Sequence, residues 1–156
     1  MRTAVMAIFT SFAVGCSETV PITAPPKQDG HDHSHDAPIT KADVKMPVTF
    51  KELVSLIEQC DKEIEAAVGA GKPASAHRAL DELDIVLDET MTLAQKAVPE
   101  DQLGVVNESR QAIRNAFLEI HQSIDAKEKP DYEANREAIK SAISKLKQSA
   151  APSSSS

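Results

Sequence analysis

Residues 48–71 read VTFKELVSLIEQCDKEIEAAVGAG, and the apolar positions in this stretch recur every three or four residues. This spacing predicts an amphipathic helix, because residues three and four apart lie on one face of a helix. The predicted apolar stripe consists of Phe50, Leu53, Val54, Ile57, Cys60, Ile64, Ala67 and Val68. Since Cys60 lies within the stripe, we predict that its thiol is buried and unreactive.

Both ends of this helix carry sequence signals. Thr49 and Glu52 have the spacing of a capping box, which predicts the start of the helix. Val48 is placed to pack on Leu53 as a hydrophobic staple. Residues 69–71, Gly-Ala-Gly, predict its end.

Three further runs have the same spacing. Their apolar positions are Ala76, Leu80, Leu83, Leu87, Met91, Ala94 and Val98, then Leu103, Val106, Ile113, Phe117, Ile120 and Ile124, and finally Tyr132, Ile139, Ile143 and Leu146. Pro73, Pro99 and Pro130 separate the runs, and Asp131 is a candidate cap for the last one. Because the linkers are short, residues 48–148 are predicted to form an all-α, up-down antiparallel four-helix bundle.

The composition limits the classes of function. The 156 residues are 41% hydrophobic but only 3% aromatic, and the net charge is −7. An acidic chain lacks the basic surface that phosphate backbones need, so we predict no nucleic-acid partner. No segment suggests a nucleophile with its base or a pair of catalytic carboxylates, so we predict that the protein is not an enzyme.

The first fifteen residues have the three parts of an export signal. A basic start is followed by an uncharged stretch, residues 3–14, and then by small residues. Ala13-Val14-Gly15-Cys16 resembles the lipobox of bacterial lipoproteins. That resemblance implies cleavage before Cys16, lipidation of its thiol and attachment to the cell envelope. Ser17 then favours the outer membrane, facing the periplasm, and plain secretion is the alternative.

A tether is predicted between the lipid anchor and the bundle. Residues 16–47 hold five of the nine prolines and few apolar side chains, which predicts a disordered linker. The Ser-rich residues 149–156 are predicted to be a disordered tail.

The linker includes a His-rich tract whose candidate metal ligands are His31, Asp32, His33, His35 and Asp36. Imidazole and carboxylate groups are ligands that Zn and Cu accept, so this tract predicts metal capture.

Two histidines and one methionine inside the predicted bundle are candidate ligands. His77 and His121 both border an apolar stripe, which is compatible with half-buried core-edge residues or with a metal pair brought together across helices. The Glu-x-x-His motif of di-iron bundles is absent, because Ala74 and Leu118 stand three residues before them. Met91 is interpreted as a core residue.

The helical segments from Ala79 to Pro99 and beyond look like the four-helix periplasmic cytochromes of the b-type and c-prime group. The b-type members use a Met near the start of the first helix and a His near the end of the last as haem ligands, but here those regions hold Leu53, Val54, Leu146 and Lys147. Cys-x-x-Cys-His is also absent, so no haem ligand carries over. The chain is also similar to small His-tract helical lipoproteins of planctomycete-type bacteria, a likeness that implies no mechanism.

Three functional hypotheses follow. The first is a non-catalytic, membrane-tethered interaction or scaffolding module that contacts an unknown envelope protein and that could form a homo-oligomer. The second is periplasmic capture or delivery of Zn or Cu by the His31–Asp36 tract. The third is a haem-free relative of the four-helix cytochromes.

Overall fold

The protein is all-helical in the part of the chain that the computed structural model describes, residues 39–151. Five α-helices succeed one another there, and no strand lies within these residues: α1 Phe50–Gly69, α2 His77–Asp88, α3 Thr90–Ala97, α4 Leu103–Asp125 and α5 Tyr132–Ser149. Short 3-10 turns cover Lys41–Asp43, Pro73–Ala76 and Glu100–Gln102. The all-α prediction is confirmed. The predicted signal peptide, Cys16 and residues 152–156 lie outside the described range.

Helix α1 begins with the predicted capping box. The Thr49 hydroxyl accepts the Glu52 N–H at 3.1 Å, and the Glu52 carboxylate accepts the Thr49 N–H at 3.3 Å. The predicted staple is wrong, because Val48 is 77% exposed. The Val48 N–H donates to the Glu52 carboxylate at 3.0 Å, and core residues already cover Leu53. At the other end Gly71 has a φ of 69°, which closes the helix in the left-handed conformation that favours glycine.

The segment predicted as one helix after Pro73 is divided in two. A 3-10 turn precedes α2, and α2 and α3 are separated at Glu89. Glu89 keeps a right-handed helical backbone, with φ −83° and ψ −8°, so the apolar spacing continues across the break. This continuity explains why the sequence pattern does not reveal the interruption.

One apolar core joins the five helices, and it contains most of the residues of the predicted stripes. The fully buried large side chains are Phe50, Leu53, Ile57, Ile64, Leu83, Val86, Leu87, Val106, Ile113, Ile120, Ile139 and Leu146. The core also includes residues assigned to the tether: Val44 is buried, and Ile39 and Met46 pack against it. The packed chain therefore begins before Val48. None of the helices in residues 39–151 combines the length and apolar character needed to cross a membrane.

A buried polar contact links α1 to α5. The Tyr132 hydroxyl donates to the Asp61 carboxylate at 2.5 Å, and both residues are less than 10% exposed. Burial raises the pKa of Asp61, whereas the hydrogen bond from Tyr132 lowers it. The Arg136 guanidinium lies over the Tyr132 ring at 5.5 Å and pairs with Glu65 at 2.8 Å. This contact joins the start of α5 to the middle of α1.

Candidate metal centre

Two His/Asp pairs with the same spacing lie on neighbouring helices. His77 is the first residue of α2, and Asp81 follows one turn later. His121 and Asp125 have the same separation of four residues at the end of α4. Since residues four apart share a helix face, each helix presents an imidazole and a carboxylate on one side.

The packing of α2 against α4 brings these side chains together. His77 Nε2 lies 3.2 Å from Asp125 Oδ1, and His121 Nε2 lies 3.8 Å from the same oxygen. The two imidazole rings are 5.4 Å apart between centroids, with 48° between their planes. His121 Nε2 is also 4.0 Å from Asp81 Oδ1. The start of α2 therefore meets the end of α4.

His77, His121 and Asp125 form a ligand group of the right size for a transition metal. Their three ligand atoms all lie within 4.8 Å of one another. Zinc binds nitrogen and oxygen at about 2.0–2.2 Å, so the ligand atoms of a tetrahedral site are about 3.3 Å apart. The His77–Asp125 distance of 3.2 Å already has this value. His121 reaches it by a side-chain movement on the order of 1 Å.

The cluster is open to solvent. The side chains of His77, His121 and Asp125 are 34%, 30% and 63% exposed. His77 and Asp125 are joined by a hydrogen bond in which the carboxylate accepts, so the imidazole Nε2–H is the donor. A metal would replace this contact, since it needs the Nε2 lone pairs of neutral imidazoles and the ionised carboxylate.

The aspartates near the two histidines differ in whether they pair with an arginine. Arg114 pairs with Asp88 at 2.6 Å and with Asp84 at 3.2 Å, so these carboxylates already have a cationic partner. Among the ion pairs of residues 39–151, Asp81 and Asp125 contact only histidines. The carboxylates nearest the imidazoles therefore keep their negative charge available for a cation.

A cavity of about 320 Å³ lies beside the cluster, between α2 and α4. Asp81 and His121 belong to its wall, as does Ile39 at the start of the described chain. Most of the remaining wall is apolar and includes Leu80, Leu83, Ile85, Leu87, Phe117 and Leu118. The group formed by His77, His121 and Asp125 thus borders an apolar depression.

The sequence identified part of this centre. His77 and His121 are candidate ligands in the sequence, and the structure brings them together. Asp81 and Asp125 were missed, although the repeated His-x-x-x-Asp spacing was visible in the sequence. The His31–Asp36 tract lies outside the described residues. The structure therefore offers a group of possible metal ligands that is distinct from the His31–Asp36 tract and that includes the His77 and His121 pair.

The other candidate residues, Cys60 and Met91, belong to the core or pack against it. Cys60 is 2% exposed, and burial together with the nearby Glu82 and Glu63 carboxylates raises its pKa to about 12. Its thiol is therefore protonated at neutral pH and is a poor nucleophile, as predicted. Met91 is half-buried and packs against the core, which agrees with its interpretation as a core residue.

Comparison of the chain with protein-family models, with curated proteins and with solved structures gave no match.

Proposed function

We propose that the helical domain binds a divalent transition-metal ion, such as Zn²⁺ or Cu²⁺, through His77, His121 and Asp125. The observation that carries this proposal is the approach of both Nε2 atoms to one Asp125 oxygen, at 3.2 and 3.8 Å. Two imidazoles and a carboxylate suit these borderline ions better than Ca²⁺ or Mg²⁺, which prefer oxygen ligands alone. The partial exposure of the three side chains favours an exchangeable ion over a permanent structural one.

The cellular setting is part of the proposal. The lipobox-like Ala13-Val14-Gly15-Cys16 supports export and lipidation of Cys16, which would hold the metal-binding domain at the cell envelope. Mass spectrometry of the membrane-extracted protein tests this directly. Diacylglycerol on Cys16, and its loss together with membrane attachment in Cys16→Ser, are expected. An unmodified Cys16 in soluble protein would support plain secretion.

The proposed helix arrangement remains the up-down antiparallel bundle, with α2 and α3 counting as one interrupted helix. The contact of His77, at the start of α2, with Asp125, at the end of α4, supports opposite directions for these helices. The pairing of Glu58 with Lys147, and of Glu65 with Arg136, supports the same relation between α1 and α5.

The few large hydrophobic side chains exposed by residues 39–151 favour metal binding over docking of a protein partner. These side chains are Val48 and Leu118, which belong to different elements. Two separate residues do not make the contiguous apolar patch that marks a docking face. The scaffolding role consequently stays a prediction of the sequence.

Calorimetry with Zn²⁺ tests the metal proposal. The His31, His33 and His35→Ala variant is the background for these titrations, because it removes any binding by the tract. We expect one ion per chain, with binding lost in a His77→Ala, His121→Ala double substitution.

A matched pair of carboxylate variants controls for charge. Asp125→Asn and Asp101→Asn each remove one negative charge, but Asp101 is an exposed residue of the Glu100–Gln102 turn outside the cluster. Loss of Zn²⁺ binding is expected only in Asp125→Asn. Equal heats for the two variants would refute the site, and binding that disappears with the tract histidines would assign the metal to the His31–Asp36 tract.

A further inference from the structure

Each histidine of the cluster faces the aspartate of the other helix. His77 Nε2 lies 3.2 Å from Asp125 Oδ1, and His121 Nε2 lies 4.0 Å from Asp81 Oδ1. The pairing is crosswise because the start of α2 meets the end of α4, and both helices carry an aspartate four residues after the histidine. Asp81 therefore has the same relation to His121 as Asp125 has to His77.

The three-residue group is one donor short of a complete zinc site. His77, His121 and Asp125 supply three donor atoms, whereas zinc in proteins is usually bound by four ligands. Within residues 39–151, Asp81 is the only further carboxylate that forms an ion pair with either histidine. The fourth position therefore belongs either to Asp81 or to water.

Asp81 can reach the ion by a movement of its side chain. Its carboxylate must approach His121 Nε2 from 4.0 Å to about 3.3 Å, the spacing of two ligand atoms at a tetrahedral zinc ion. It must also turn toward His77 and Asp125, since it lies outside the group of atoms that are all within 4.8 Å of one another. The Asp81 side chain is 37% exposed, and in the described part of the chain its ion pair is with His121 alone. No arginine or lysine of that part holds the carboxylate in its present place.

Charge favours Asp81 over water as the fourth ligand. When two neutral imidazoles and the Asp125 carboxylate bind Zn²⁺, one of its two positive charges stays uncompensated. The cavity wall that includes Asp81 and His121 is mostly apolar, so a net charge beside it is poorly solvated. A second carboxylate removes this charge. Asp84, the other carboxylate of the wall, already pairs with Arg114.

We propose that Asp81 is the fourth ligand, so that Zn²⁺ is held in a closed site by two histidines and two aspartates. This proposal rests on the proposed function, because it completes the same site. Four protein ligands leave no coordination position for a substrate, so the ion links α2 to α4 and does not act as a catalyst. The metal that fits is a divalent ion that accepts tetrahedral coordination, Zn²⁺ or its spectroscopic substitute Co²⁺.

Cobalt spectroscopy and zinc calorimetry test the fourth ligand. The parent for all measurements is the full-length protein with His31, His33 and His35 changed to alanine, which removes any binding by the tract. Asp81→Asn removes the proposed ligand. Asp84→Asn is the matched control, because it removes one negative charge from the same helix and the same cavity wall without changing the histidine cluster. Four-coordinate Co²⁺ absorbs visible light strongly, whereas Co²⁺ with additional water ligands absorbs weakly.

We expect an intense visible band from the parent and from Asp84→Asn, and a weak band from Asp81→Asn. The Zn²⁺ affinity should fall by at least about tenfold in Asp81→Asn, because loss of a group that only supports a metal ligand already costs this much. It should change little in Asp84→Asn. A weak band in the parent, an unchanged band and affinity in Asp81→Asn, or an equal fall in affinity in both variants would overturn the role of Asp81 and leave the three-residue site intact.

His77→Ala with His121→Ala, placed in the same parent, separates this proposal from the proposed function. Neither Zn²⁺ nor Co²⁺ should bind this protein, and circular dichroism checks that its helices are intact. Retained binding would refute the metal site itself, whatever the result for Asp81.

Discussion

Replacing Tyr132 with Phe should destabilise the protein by an amount that depends on pH. Tyr132 is 4% exposed and donates its hydroxyl proton to Asp61, which is 7% exposed. The substitution keeps the ring and removes the only hydrogen bond to this carboxylate among the described residues. A hydrogen bond to a charged group contributes about 1.5–3 kcal/mol, so we expect a loss of about 2 kcal/mol in the free energy of unfolding at pH 7.

The pH dependence follows from the ionisation of Asp61. Burial raises its pKa in the folded protein, so the native state holds the Asp61 proton more tightly than the unfolded state does. The free energy of unfolding therefore falls as the pH rises from the unfolded value, about 3.9, through the higher folded value. The Tyr132 hydrogen bond lowers the pKa of Asp61, so removing this hydrogen bond makes the decrease in the free energy of unfolding with rising pH larger. The cost of Tyr132→Phe should be about 1 kcal/mol near pH 4, where a neutral hydrogen bond is lost.

Urea denaturation followed by circular dichroism at pH 4 and pH 7 measures both quantities. Asp61→Asn provides the control, because an amide oxygen still accepts the Tyr132 hydrogen bond but carries no charge. In that background Tyr132→Phe should cost about 1 kcal/mol at both pH values. In the protein that retains Asp61, a cost of Tyr132→Phe below about 0.5 kcal/mol at pH 7 would refute the reasoning. An equal cost at pH 4 and pH 7 in that protein would also refute it.

Three further predictions concern single residues. Lys127 adopts a φ of 57° after α4, so Lys127→Gly should raise the urea midpoint and the free energy of unfolding by about 0.5 kcal/mol, and a decrease would contradict a strained backbone. Thr49→Ala should cost about 1 kcal/mol because it removes the cap of α1, whereas the exposed Thr92→Ala is the control and should change stability little. In a Cys16→Ser protein, Cys60 should react with a thiol reagent only as fast as the protein unfolds, and rapid labelling without urea would show that its thiol is accessible.

The helices could be predicted because their determinants are local. The stripe that starts at Phe50, the Thr49 capping box and the Asp131 cap, which accepts the Ala134 N–H at 3.0 Å, each depend on residues a few positions apart. The break at Glu89 escaped prediction because no glycine or proline marks it and the apolar spacing runs through it.

Packing of the segment before α1 escaped prediction for a different reason. Ile39, Val44 and Met46 are isolated apolar residues without a helical period, so their sequence resembles a linker. Only the surface formed by the helices gives them a place to pack. Their burial is therefore a property of the assembled core.

The sequence by itself determined that this protein is helical, acidic and equipped with an export-like start and a histidine tract. The sequence also contains, without its having been predicted as a site, an aspartate four residues after His77 and another four residues after His121. Only the tertiary structure decided that the helix faces carrying these residues meet, with His77 and His121 both near Asp125. The reason is that helix periodicity follows from neighbours in the chain, whereas a metal site requires the convergence of residues 44 positions apart, from His77 to His121.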